Sequence, residues 1–217
     1  MGSKELKGAG LALIIGSLLM IVTMVLHPVG GDFNQLLRIV PIGMISHSIA
    51  ILSVPFVAYG FFGLTIKLKS SSFISYIGFS IMFFGLVAVL IAAAVNGLIL
   101  MDFVKSYEGA SEETIASLKP IFVFIRSFNH AFDYIFVSAI CLSMFMWSAA
   151  IIKTKAMPSW LGYFGILVST IGVVLFASGV ELLHLAGFRI FIFANVAWIL
   201  AVGFILRKGE QPTSAQL

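Results

Sequence analysis

The stretch from Phe73 to Val104 reads FISYIGFSIMFFGLVAVLIAAAVNGLILMDFV, and a single charged side chain, Asp102, interrupts its 32 residues. An α-helix rising about 1.5 Å per residue crosses the hydrocarbon core of a bilayer in about 20 residues. The stretch exceeds that length and does not alternate between apolar and polar positions. A strand of an open sheet is excluded, because its edge groups find no hydrogen-bond partner in lipid. A small barrel is excluded as well, since its strands alternate. The stretch is read as a membrane helix.

Runs of the same kind flank it. Spans are expected at about 11–27, 45–66, 73–104, 121–152, 160–181 and 188–206. Together they nearly fill residues 1–208, read as a single six-helix transmembrane domain, with 209–217 a disordered polar tail. The fold class is all-α, a polytopic membrane bundle. Composition agrees: the chain is 60% hydrophobic and 10% charged, where soluble proteins carry about 25% charged residues. Mean hydropathy is +1.12. A water-soluble globular domain, a disordered chain and a nucleic-acid-binding module are all excluded. The net charge of +4 does not imply a nucleic-acid partner, because the basic residues sit at helix ends and not on one face. The partner it implies is the lipid bilayer. Cys141 stands alone in an apolar run, so there is no disulfide framework and no thiol–metal cluster. The first run follows Lys4 and Lys7 and meets His27-Pro28 with no small-x-small cleavage site, and is read as a retained helix.

Orientation follows from Lys and Arg, which favour the cytoplasmic side. With the N-terminus inside, Lys4, Lys7, Lys67, Lys69, Lys153, Lys155, Arg207 and Lys208 lie inside. Arg38, Lys105, Lys119, Arg126 and Arg189 lie outside, eight against five. Both termini are expected in the cytoplasm. Trp147 and Trp160 flank the inner loop after the fourth span, where an aromatic belt is expected. Outside, Pro28 to Met44 reads as an irregular loop around Gly30-Gly31-Asp32. Ser111-Glu112-Glu113 reads as a helix start with acids in its first turn. The pairs Gly60 and Gly63, Gly78 and Gly85, and Gly162 and Gly165 mark close helix approach.

Counting about 20 residues outward from each inner helix end puts His27, His47, Asn96, His130, Asp133, Glu181 and His184 near one plane, the outer boundary. The densest pattern is Arg126-x-x-Asn129-His130-x-x-Asp133, one face of a helix. Such a stripe in an apolar segment must face the bundle interior or a watery cavity. Glu181-x-x-His184 repeats the spacing, and Ser46-His47-Ser48 opens the second span.

Imidazole and carboxylate groups bind zinc, iron or copper. Two histidines on different helices can hold a haem b. A His–Asp pair can also relay protons or act as a general base. The candidate ligands or acid–base groups are His47, His130, Asp133, Glu181 and His184. Arg126, Asn129 and Asn96 would orient them. His27, beside Pro28, reads as an interfacial residue. A plain ion pair between Arg126 and Asp133 is the bland alternative. No His-Glu-x-x-His, Gly-x-Ser-x-Gly, P-loop or dinucleotide fingerprint selects among these chemistries. Two readings stay open: an outward-facing polar site holding a metal or haem, and a non-enzymatic membrane subunit or binder of a small molecule or lipid at the outer face.

The segment Lys153-Thr-Lys-Ala-Met-Pro158-Ser-Trp160-Leu-Gly162-Tyr-Phe-Gly165 resembles a junction found in a family of uncharacterised bacterial six-helix integral membrane proteins. There a basic inner loop leads to Pro-x-Trp-Leu-Gly and a Gly-spaced helix. The resemblance implies six spans in a bacterial cytoplasmic membrane. It brings no activity and no catalytic residue with it.

Overall fold

The computed structural model describes residues 1–178 and 185–209. Its helices are α1 (Ser3–Leu26), α2 (Phe33–Lys67), α3 (Ser72–Ala94), α4 (Leu100–Ser106), α5 (Glu112–Ser117), α6 (Lys119–Thr154), α7 (Ser159–Ala177) and α8 (Leu185–Lys208). A π-helical turn, Val95–Ile99, joins α3 to α4 without breaking the rod. Among the described residues, six helical segments are long and apolar enough to cross a membrane: α1, α2, α3 through α4, α6, α7 and α8. These are the lengths and composition of a multi-pass membrane protein.

The spanning helices pack largely in chain order. α1 lies on α2, α2 on α3, α3 on α6 and α6 on α7, and α8 returns to both α7 and α1. Small residues set how closely they approach. Gly60 and Gly63 of α2 lie against Leu13 and Ala9 of α1, and Gly85 of α3 lies against Ala139 of α6. Gly165 of α7 receives Ser148 and Trp198. Where lipid is as apolar as the side chains, such close contact is what holds helices together.

Two expectations are corrected. The segment Pro28 to Met44 is not an irregular loop, because α2 begins at Phe33 and runs 35 residues through Pro41 and Pro55. Asp32 starts it, its carboxylate accepting the Gln35 amide at 2.8 Å, so an otherwise orphaned first-turn donor is satisfied. Trp147 is not part of an interfacial belt. It is 0% exposed, stacks on Phe61 at a 4.7 Å centroid distance and donates to the Ser75 carbonyl at 3.2 Å. Trp160 is exposed. The helix start at Ser111 is present, with its hydroxyl accepting the Thr114 amide at 3.2 Å. Gly209 is the last described residue of the tail.

α2 at 35 residues and α6 at 36 are each much longer than the roughly 20 residues a bilayer core requires. The surplus is at the end that carries His27. There Phe33 and Val40 of α2, Met101 and Val104 of α4, and Leu118 before α6 form a small apolar core, separate from the main one. The main core runs through all six spans and includes Leu13, Phe61, Met82, Met144, Trp147 and Trp198.

Candidate functional site

α1 ends at Leu26, and α2 returns antiparallel beside it after a short connection. This return sets His27 against His47, with ring centroids 4.8 Å apart and planes at 55°. His47 is 6% exposed. Its Nδ1 lies 2.8 Å from the Gly43 carbonyl one turn back. A carbonyl only accepts, so Nδ1 carries the proton. The Ser46 hydroxyl is 3.3 Å from the same nitrogen. His27 Nδ1 donates in the same way to the Pro28 carbonyl at 3.0 Å. With Nδ1–H fixed on backbone in both rings, the neutral imidazoles present Nε2 as an acceptor. No described residue bonds to either Nε2.

α8 adds a cation. Arg189 Nη2 donates to the His27 carbonyl at 2.7 Å, tying the end of α1 to α8. The Arg189 Nε–H is buried and has no partner among the described residues. His27 lies just past the α1 span, and its pKa is held down to about 4. Burial is the main cause, with the nearby His47 and Arg189 adding to it and the Pro28 hydrogen bond opposing it.

The π-helical turn makes room for His47. Gly97 lies so close to the His47 side chain that a methyl group there would occupy the same space. Asn96, in the same turn, is half-buried. An extra residue in a helix swings the following side chains around its axis, and such turns recur at functional sites.

α6 contributes a different arrangement from the one its sequence implies. Asn129 Nδ2 donates to Asp133 Oδ2 at 2.6 Å. Arg126 is exposed, and no ion pair joins it to Asp133 among the described residues. Asp133, Phe136 and Ile140 follow one line along α6. His130 turns instead toward Tyr134, edge-on at 6.5 Å, and Tyr134 meets Phe176 of α7 at 5.2 Å. His47 thus finds its ring partner just past the end of α1, while His130 sits on the α7 side of α6. Among the described residues, no three His, Cys, Asp or Glu side chains gather as a metal-ligand set. Glu181 and His184 lie outside the described residues. His27 is the residue that sequence reasoning missed. Its depth matched that of His47, but depth carries no information about which helices are neighbours.

Near the histidine pair lies a cavity of about 70 Å³ between α1, α2, α3, α6 and α8. Thr23, one turn from His27, lines it, as do Ala50, one turn from His47, and Phe188, beside Arg189. The walls farther in are apolar, with Met20, Met24 and Met82 among them. Thr23 is 3% exposed and its hydroxyl has no described partner. A second hollow of about 340 Å³ lies between α6 and α7, lined by Val137, Cys141, Ser169 and Phe176 among others, with no charged side chain in its wall.

No protein-family model matches this chain, and no curated protein or solved structure matches it.

Proposed function

We propose that this chain is a multi-pass protein of a cell membrane, with both termini in the cytoplasm, that binds a small molecule at the end carrying His27, His47 and Arg189, and that this end faces outward. The observation that supports the reading is the meeting of His27, just past α1, with His47 of α2 and Arg189 of α8, about one helical turn along these helices from residues that line an apolar cavity, with the Arg189 Nε–H left without a partner among the described residues. A buried charged donor in that state carries a desolvation cost that a bound acceptor would offset. The fixed guanidinium beside His27 also works against a cation at this pair, which favours a small-molecule binder over a metal or haem centre here. Native mass spectrometry of the purified full-length protein tests the reading. The wild type is expected to carry a small-molecule adduct that Arg189→Gln and His47→Ala lose while circular dichroism stays unchanged. A bare wild type, or an adduct indifferent to both changes, would overturn it.

A further inference from the structure

We infer that the ligand held between Arg189 and the two imidazoles is a monoanionic phosphate group, an oxyanion recognised because it still carries a proton. The inference rests on the binding reading above and names the class of its ligand.

The charge comes from Arg189. Its Nη2 is tied to the His27 carbonyl, and its buried Nε–H has no partner among the described residues. His27 titrates at about 4, so its ring is neutral near pH 7 and the guanidinium supplies the charge beside it. A guanidinium drawn partly out of water is best offset by an anion, through charge-assisted hydrogen bonds. Access is from the end of the bundle. His27 and Arg189 are half-buried, and Val29 to Gly31, which follow His27, are exposed. A methyl group added at Gly30 would meet nothing within 4 Å. A small ion therefore approaches without crossing the apolar core.

The proton is required by the rings. His47 is 6% exposed, and its ring lies 4.8 Å from that of His27. Both Nδ1–H groups are committed, to the Gly43 and Pro28 carbonyls. Each neutral imidazole is left with only an acceptor, Nε2, to offer. An oxyanion without a proton, such as sulfate or a simple carboxylate, satisfies Arg189 but sets its lone pairs against those of the rings. The monoanion of a phosphate group has bare oxygens for Arg189 and an O–H for a ring nitrogen. Inorganic phosphate in that form has two O–H groups, one for each Nε2, and a phosphate monoester has one. Free phosphate and the headgroup of phosphatidic acid share this chemistry, and the experiment separates them.

The experiment uses the full-length protein in phosphatidylcholine nanodiscs at about pH 5.5. This lies below the step near pH 6 at which a phosphate monoester loses its second proton, and above the titration of His27 at about 4. Ring resonances of isotope-labelled histidine are followed as sodium phosphate or sodium sulfate is added at constant ionic strength. Phosphate is expected to shift His27 and His47 saturably. Sulfate has the same shape and a higher charge, yet should bind about tenfold more weakly or worse, because acceptor would face acceptor. Arg189→Gln should weaken phosphate by about tenfold or more, the scale of one charged hydrogen bond, with circular dichroism unchanged. The comparison of the two anions needs no variant, so it decides the matter even if Arg189→Gln fails to fold. Saturation by inorganic phosphate assigns a free ion, whereas shifts seen only with phosphatidic acid in the nanodisc assign a lipid headgroup. Sulfate binding as tightly as phosphate would overturn the inference. Phosphate shifts at full affinity in a folded Arg189→Gln protein would overturn it too, by removing the anion from this site. Silence toward both phosphate and phosphatidic acid would also end it, while an adduct in native mass spectrometry would leave the binding reading standing.

Discussion

Gly97 and His47 share one contact in which neither can be enlarged: the imidazole rests where a side chain on Gly97 would be. The π-helical turn Val95–Ile99 and the buried histidine on α2 therefore fix each other. Gly97→Ala should destabilise the protein by about 1–3 kcal/mol, the range for inserting a methyl group into a packed interior. It should also displace the His47 ring. Thermal unfolding in detergent reads the first effect, and the His47 ring resonance reads the second. An unchanged midpoint with an unmoved resonance would show that the contact is slack.

The titration of His27 has a definite sign. Its pKa is about 4 against an ordinary 6.5, so between those values the unfolded chain binds more protons than the folded one. Stability should be full above about pH 6.5 and fall as pH drops toward about 4, where the His27 contribution levels off. The groups facing His27 are His47 on α2, Arg189 on α8 and the Pro28 carbonyl. Arg189→Gln should move the His27 midpoint upward, toward the ordinary value. A histidine-resolved NMR titration checks this, and a downward or absent shift would contradict it.

On α6, Asp133 is partnered by Asn129 and not by Arg126. Asn129→Ala should cost about 0.5–1.5 kcal/mol through the lost hydrogen bond. Arg126→Ala, at an exposed position, should stay within about 0.5 kcal/mol of wild type. The double change Arg126→Ala with Asp133→Ala should equal the sum of the singles, since the two side chains share no contact. A recovery of stability in the double variant would restore the ion pair as an interaction.

These cases show where the sequence was informative. A run such as Phe73 to Val104 declares a membrane helix through its length, because lipid requires every backbone group to be paired within the segment. The start of α2 was hidden. Gly30-Gly31 and Pro41 are ordinary punctuation for a loop, and only the Asp32 carboxylate on the Gln35 amide shows that the helix has already begun. Counting residues also put His27, His47 and His130 on one plane but left open which helices are neighbours there. The pairing of His27 with His47 depends on the angle at which α2 returns along α1. The angle is set by contacts such as Gly60 on Leu13, which are many residues apart in the chain. The π-helical turn left no readable trace, since Val95 to Ile99 is as apolar as its surroundings apart from Asn96.

The proposed orientation can be checked with cysteines at Glu108, in the turn after α4, and at Lys153, at the far end of α6. An impermeant thiol reagent applied to intact cells should label position 108 and spare position 153. Cys141 is buried and should not contribute. The opposite labelling pattern would reverse the topology.

The small core of Phe33, Val40, Met101, Val104 and Leu118 has a further consequence. On the proposed placement it stands beyond the bilayer, where apolar side chains cluster because water expels them. A few turns along the same helices, the main core sits in a solvent as oily as itself, and close fit alone keeps it together. One continuous rod, α2, thus obeys two different rules of cohesion along its length. Urea, which works on groups that water can reach, should loosen the projecting cap while the buried portion stays assembled. Cooling should weaken the cap first as well, because expulsion by water fades at low temperature and steric fit does not.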